Sequence, residues 1–563
     1  MARINEREIR NHPKGLHEKG QRGFLARLRD DTRGNVLAIA TAAIIPLLCL
    51  IGSGIDLSRA YAAQSRLQVA CDAAALAGRR AMSDGEVDDT VRTEARKFFN
   101  FNFPQHSFQT ADFTPNITNA GTEGASKTTV VVTAATTIPT SIMKIFGFGN
   151  LPISVTCNAK QDFVNTDIML VLDTTGSMND ALGGSKKIDA LRDAVLALYD
   201  ELAPVQDQLE KVGLRLRYGI VPYSSNVNVG KLVYALDSSY IQSGTWNYQS
   251  RTNPVSTSST MNKESDCTAK EGSWKSSTKT CEYYNWTYKS VSQNISSFVA
   301  GSTVDVPTRK PGTTWTSSWQ GCIEERQTTS SIVASSDLTI PNTAYDLDLA
   351  KIPTSDSATK WKPFWPEVSY LRNGTSLYDR SSDRAWVACP TEARRLTSWT
   401  RQNLDTYLKS LVPVGGTYHD IGMIWGGRML SRDGIFSDDN PATYKNMPVS
   451  RFLIFMTDDA IAPNADSYSA YGVEQLDQRV TGSSSASNQT ARHEQRFKMA
   501  CNATKKQGVS IWVISFHATL DPSTALKECA STSSQVSKST NRDQLIAKFV
   551  EIGKNIGSLR LTQ

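Results

Sequence analysis

Asp173, Thr175 and Ser177 place one carboxylate and two hydroxyls at i, i+2 and i+4 in the stretch DIMLVLDTTGSM, residues 167–178. All three are hard oxygen donors, and their summed charge is −1. Such a set suits Mg2+ held partly through water better than it suits zinc or copper. Their position adds to this. Ile168 to Leu172 is a continuous apolar run, the pattern of a strand buried on both faces of a parallel sheet. It stops at Asp173 and a helical pattern follows, so the three oxygens fall in a strand-to-helix turn. Open α/β sheets bind ligands at that end of their strands.

Asp173-x-Thr175-x-Ser177 resembles the first segment of the metal-ion-dependent adhesion site of von Willebrand factor type A domains. Two later stretches follow in the family's order. Gly415-Gly416-Thr417 precedes a helical pattern and resembles the loop that supplies the site's threonine. Arg451 to Thr457 (RFLIFMT) is a second buried-strand pattern, and it closes on Asp458 like the family's strand that ends in an aspartate. The resemblance implies a Rossmann-like α/β domain with a site for Mg2+ or another divalent cation made by Asp173, Thr175, Ser177, Thr417 and Asp458. In such a site the hydroxyls hold the ion, the aspartates orient coordinated water, and an acidic side chain of a partner fills the open position. This chain departs from the pattern twice. Thr175 stands where the family usually has serine, which keeps the hydroxyl, and Asp459 stands where it usually has glycine, which adds a carboxylate.

The elements that carry this site belong to a long chain. With 563 residues, 39% hydrophobic and 21% charged, it must fold into more than one domain. Residues 1–34 carry nine Lys/Arg against five Asp/Glu, leaving 52 against 50 elsewhere. No phosphate-tracking surface follows from that balance, so nucleic-acid binding is disfavoured. HExxH, P-loop and GxSxG patterns do not occur, and no catalytic constellation or small-molecule substrate is expected.

Gly34 to Ile55 is free of charge over 22 residues. At ~1.5 Å per residue a helix of that length spans the ~30 Å hydrocarbon core. Its basic flank, Arg22, Arg27, Arg29 and Arg33, places the N-terminus in the cytoplasm and the rest of the chain outside. The long leader and a helical pattern that continues past the span argue for an uncleaved anchor rather than a signal peptide. Pro46 is expected to kink this helix without ending it. Asp56 to Met82 is Ala-rich and extends the helix out of the membrane.

The stretch RGNVLAIATAAIIPLLCLIGSGIDLSRAYAAQSRLQVACDAAALAG resembles the N-terminal module of TadE/TadG-like Flp (tight adherence) pilus-assembly proteins. The basic-Gly-Asn entry, the Asp56/Arg59 exit and the segment from Leu67 through Cys71 to Leu76 carry the likeness, and the terminal LRLTQ also resembles that family. Ile39, five residues after Gly34, replaces the glutamate of prepilin peptidase sites, so no cleavage is expected there. Residues 86–103 read as helix, Thr128 to Ala135 and Leu151 to Lys160 as strands, and Ile138 to Phe148 as a short amphipathic helix.

From about Gln161 the adhesion-type domain begins. Lys186 to Leu202 reads as an amphipathic helix, and Leu214 to Ile220 as a strand exposed on one face. A Ser-, Thr-, Asn- and Tyr-rich insertion interrupts the domain and holds nine of the eleven tryptophans: Trp246, Trp274, Trp286, Trp315, Trp319, Trp361, Trp365, Trp386 and Trp399. So many aromatics imply a folded subdomain. Beyond Thr417, helices are expected at Ile421 to Leu430 and His493 to Lys506, a buried strand at Val509 to Phe516, and a closing helix carrying Leu545, Phe549, Ile552 and Ile556. The chain thus divides into a basic cytoplasmic N-terminus (1–33), a transmembrane helix (34–55), a helix with a small membrane-proximal α+β region (56–160) and a von Willebrand factor type A domain (161–563) with an insertion at about 225–410.

Cys49 lies in the span as a free thiol. The other eight cysteines fall on the side assigned to an oxidising periplasm, without zinc-type spacing. Cys501–Cys529 is the preferred disulfide. Cys267–Cys281 and Cys322–Cys389 would staple the insertion and leave Cys71 with Cys157, although spacing does not fix connectivity. A cytoplasmic C-terminal domain would instead keep all eight reduced.

Together the two resemblances imply a non-enzymatic protein of the bacterial inner membrane, single-pass, with its adhesion-type domain in the periplasm or exposed at the surface. Its partners would be pilus or secretion-apparatus proteins, and its setting pilus assembly, adhesion and biofilm formation. The alternative is a surface adhesin that binds host or matrix glycan or protein through the Trp-rich insertion, with the metal site only structural.

Overall fold

The computed structural model describes residues 33–82, 86–122, 129–160, 164–251, 255–270, 272–285, 288–307, 313–373, 376–377, 387–458 and 460–558. The basic N-terminus up to residue 32, Trp286, Trp386, Asp459 and the terminal LRLTQ lie outside the described residues. The chain forms two compact units. One comprises residues to 82 with 87–118 and 130–159, and the other holds nearly all of 160–563.

In the first unit a single helix, α1 (Arg33–Ala81), runs for 49 residues and continues through Pro46. Ala63, Leu67, Ala70, Cys71 and Ala74 form its buried stripe. These small residues admit close neighbours: a Cβ on Gly78 would lie 3.2 Å from Ala95. That neighbour belongs to α2 (Asp89–Asn102), which Asp88 caps by accepting from Val91 N at 2.8 Å. The strands β1 (Asn116–Asn119), β2 (Thr129–Pro139) and β3 (Asn150–Lys160) form one sheet in that order. A disulfide joins Cys71 to Cys157. The expected amphipathic helix at Ile138 to Phe148 is absent. Strand β2 runs on to Pro139, and only a 3-10 turn, Met143–Phe146, follows. Pro139 cannot donate to a helix, and Gly147 at φ +92° closes the turn after four residues.

The second unit is an α/β domain. Its main sheet contains β4 (Asn165–Asp173), β5 (Leu216–Tyr223), β6 (Arg394–Thr397), β7 (Met447–Thr457), β8 (Val509–Phe516) and β9 (Val536–Ser539). They lie in the order β6-β5-β4-β7-β8-β9, parallel except for β6, and a short strand at Thr443–Tyr444 pairs antiparallel with β7. Counted from β4, the order is 3-2-1-4-5-6, the doubly wound arrangement whose switch point lies between β4 and β7. All nine residues of β4 are buried. Ile168, Leu170 and Leu172 face one core, shared with α3 (Lys187–Lys211), α4 (Arg401–Lys409) and α7 (Arg542–Ser558). Met169 and Val171 face the other, shared with α5 (His419–Met429) and α6 (Gln489–Lys506).

Three expectations change here. Helix α3 continues past Pro204 to Lys211 instead of ending at Leu202, because its apolar stripe continues to the fully buried Leu209. Strand β5 has no solvent face: Gly219 and Val221 are buried, and Arg217 folds back onto the buried Asp167 at 2.8 Å. The insertion is also shorter than 225–410. Its expected last stretch is the edge strand β6 and helix α4 of the sheet domain itself, with the Trp399 indole donating to Tyr218 O at 3.0 Å. The described remainder combines short antiparallel ribbons, such as Thr245–Arg251 with Tyr288–Asn294, with short helices and a long irregular stretch at 325–356. They are stapled by Cys267–Cys281 and Cys322–Cys389. Cys501 and Cys529 join α6 to the short helix Thr524–Cys529, and Cys49 is free.

Candidate functional site

Strands β4 and β7 run side by side, with Met456 opposite Leu172. They therefore deliver Asp173 and Asp458 to one edge of the sheet, at the switch point. Both carboxylates are fully buried. Past β4 the chain turns sharply: Thr175 N donates to Asp173 Oδ1 at 2.9 Å, which sets the turn and brings the two hydroxyls back over it. Thr175 Oγ1 and Ser177 Oγ are 2.9 Å apart, and Ser177 Oγ donates to Asp458 Oδ1 at 3.0 Å. Four of the five expected ligands thus form one hydrogen-bonded chain.

The fifth, Thr417, is buried on the loop that enters α5. The backbone draws that loop in. Gly176 N donates to Gly415 O at 2.9 Å and Val414 N to Thr174 O at 2.8 Å. Gly415 sits at φ +79°, a conformation that a side chain would strain. A Cβ there would also meet Ser225 Oγ at 2.8 Å.

Four residues that the motifs do not name complete the surroundings. Thr457 Oγ1 donates to Asp173 Oδ2 at 2.8 Å and meets His419 Nε2 at 2.9 Å. The Tyr223 hydroxyl lies 3.3 Å from the same carboxylate oxygen. Lys187, at the start of α3, donates its Nζ to Asp458 Oδ2 at 2.9 Å. Thr457 was within reach of a sequence reading, since it directly precedes Asp458. Lys187 was not: a lysine after Lys186 at a helix start looks like a solvated charge.

Burial and the nearby Asp458 push the Asp173 carboxyl up to about 7, while the bonds from Thr175 and Thr457 hold it down. Burial likewise raises the Tyr223 phenol. Two buried carboxylates, three hydroxyls and one ammonium make a cluster of net negative charge rich in hard oxygens, a donor set that suits a small divalent cation. Lys187 already neutralises part of that charge.

Residues 34–83 match the family described as "Putative Flp pilus-assembly TadE/G-like". That segment is the exposed apolar part of α1 and its continuation. Among the described residues, α1 is the one helix long and apolar enough to cross a membrane. A comparison with curated proteins gave no significant match. Solved structures similar to this chain include the pilus adhesin SpaC from Lactobacillus rhamnosus GG, at 10% identity and TM-score 0.28, over 81% of this chain and 37% of that one. Others are the von Willebrand factor domain of the type V pili tip protein Mfa5 from Porphyromonas gingivalis (10% identity, TM-score 0.29, 71% of this chain and 97% of that one) and the adhesive tip pilin GBS104 from Group B Streptococcus agalactiae (10% identity, TM-score 0.30, 70% and 100%). The chain spans little more than a third of the length of SpaC. The second unit has the doubly wound strand order, with the Asp173 turn and Asp458 at its switch point.

Proposed function

We propose that this chain is a membrane-anchored, non-enzymatic pilus-assembly protein of the Flp/Tad type, whose adhesion-type domain captures a protein partner through a divalent cation, Mg2+ by choice. The N-terminal match to the TadE/G-like family supports the anchor and the setting. The observation that carries the cation is the convergence of Asp173, Thr175, Ser177 and Asp458 into one hydrogen-bonded set at the switch point, with the Thr417 loop tied to it.

A bound Mg2+ would offer a Lewis-acidic position to an anionic oxygen from outside. The chain's own residues prepare that position. Thr175, Ser177 and Thr417 supply neutral oxygens, which leave the centre short of negative charge. Asp173 and Asp458 are fixed by Thr457, Tyr223, Ser177 and Lys187, so they orient water rather than swing. The same bonds occupy both carboxylates and leave neither aimed outward as a general base, which supports a binding role over hydrolysis. An acidic side chain on the partner is the matching group. In this reading the N-terminus is cytoplasmic, α1 crosses the inner membrane, and the adhesion-type domain is periplasmic.

The Trp-rich insertion gives less support to the glycan-binding alternative. Its six described tryptophans are buried or half-buried, with none exposed, as in a core.

The test is a titration of the detergent-solubilised full chain with Mg2+ and with Mn2+, followed by calorimetry and thermal melting. Metal at 100 times its Kd should raise stability by about 2.7 kcal/mol. Asp173→Ala should remove both the heat and the shift while keeping the fold. A wild-type chain indifferent to both ions would overturn the proposal.

A further inference from the structure

The turn after β2 carries a surface that the function above does not use. Ile145, Phe146 and Phe148 are 74%, 43% and 61% exposed. The turn is fixed to one level of α1. Ile142 seats on Gly52 so closely that a Cβ on the glycine would lie 2.3 Å from its Cγ2. Asp56 accepts from three successive amides, Ser141 N at 2.8 Å, Ile142 N at 2.9 Å and Met143 N at 2.8 Å. Arg59 donates to Ser141 Oγ at 2.8 Å.

That level is where the uncharged run of α1 ends. Ile55 is its last residue and Asp56 the first charge after it. The apolar exposure on the turn therefore sits beside that of the helix: Leu48, one turn before Gly52 on the same face, and the adjacent Ile55 are also exposed. The polar groups at this level are consumed internally: the Asp56 carboxylate faces the turn, not solvent. What remains outward is two phenylalanines, an isoleucine and the exposed Lys144. No Asp or Glu occurs from Thr129 to Lys160. Aromatic and aliphatic tips beside a lysine, without acids, suit the boundary between acyl chains and anionic headgroups.

We infer that the Met143–Phe148 turn is a second membrane contact, a wedge that inserts into the lipid headgroup zone where α1 leaves the bilayer and fixes the orientation of the first unit against that surface. The inference rests on reading residues 34–55 as a membrane span. Its occupant is lipid, because the patch sits beside the surface that the span itself presents to lipid.

The full chain, reconstituted in vesicles of phosphatidylethanolamine and phosphatidylglycerol, tests this by spin labelling on a Cys49→Ser background. One label replaces Phe148 (Phe148→Cys) and a second, in a separate sample, replaces Leu50 (Leu50→Cys). Power saturation then compares collisions with oxygen, which partitions into lipid, and with a water-soluble nickel chelate. The expected result is oxygen accessibility several-fold above that of the chelate at both positions, with position 148 the shallower. A label at 148 in water while that at 50 lies in lipid would overturn the wedge and leave the span standing. Both labels in water would remove the span and the wedge together. A label at 148 shielded from both agents would mean that protein covers the turn, which also overturns the inference.

Discussion

The ammonium of Lys187 lies 2.9 Å from Asp458 Oδ2, so the divalent ion proposed for this site would meet a positive charge already in place. The two cations would compete for one carboxylate, and the chain's own is more than nine-tenths buried. Replacing it by a side chain of similar length, Lys187→Met, should raise Mg2+ affinity about tenfold, worth about 1.4 kcal/mol. The metal-free protein should lose about 3 kcal/mol, because a buried carboxylate is left without its ammonium. Calorimetric titration and urea unfolding read these two effects separately. An unchanged affinity would mean that the lysine swings clear of the site when metal binds. Asp173, Thr175 and Ser177 were legible because their spacing is local, and Asp458 because it closes an unbroken apolar run. Lys187 was not, since its role exists only through a partner 271 positions away.

Elements bring these groups to their distances. Helix α5 lies against the sheet through glycines: a Cβ on Gly422 would stand 2.6 Å from the Tyr223 ring, and one on Gly426 would stand 2.4 Å from Val171. Tyr223 in turn reaches Asp173. Gly422→Ala should therefore displace that ring, destabilise the fold by about 1–3 kcal/mol and weaken metal binding, as thermal melting with and without Mg2+ would report.

The turn held by Asp56 gives a pH prediction. Its carboxyl lies below the usual value of 3.8, chiefly because Met143 and Ser141 donate backbone N–H groups to it. A depressed carboxyl stabilises the fold above its unfolded value, and that support is lost as pH falls through the folded one. Protection of the Ser141, Ile142 and Met143 amides against hydrogen exchange should therefore decline on acidification. In Asp56→Asn protection should be low and flat with pH.

Strands β4 and β7 were readable as unbroken apolar runs because both faces are covered. Strand β6 was hidden: four residues, RRLT, with two arginines, carry no such run at a sheet edge. Helix α3 ran past its expected end because burial of Leu209 outweighs the amide bond lost at Pro204. The turn at Met143–Phe146 was misread as a helix because its apolar residues follow no core; they point outward.

At the scale of the molecule, the insertion is bound to the sheet domain by buried charge. Arg496 on α6 pairs with Asp346 of the insertion, lies 3.6 Å from Asp420 and meets Tyr471 OH at 3.0 Å. His493 takes the other contact of Asp420 at 2.7 Å. Beside them the Glu325 carboxylate receives the Trp361 and Trp425 indoles. Arg496→Met should cost about 3–5 kcal/mol, since two buried carboxylates lose their counter-charge, and denaturant unfolding would show whether the insertion detaches first. None of this network was legible in advance, because its members are scattered from residue 325 to 496 and no spacing announces them.

Strand β6 pairs with β5, yet the chain between them is roughly 170 residues long, most of it insertion. Closing so long a loop adds little to the equilibrium balance, because its entropy grows only as the logarithm of length. Time is another matter. A chain that emerges from its N-terminus exposes β4 and β5 well before either flank of the sheet exists, and distant strand pairings form slowly. During that interval two bare apolar strands lie open to wrong pairing, so the unfinished chain is most prone to aggregate before β7 arrives.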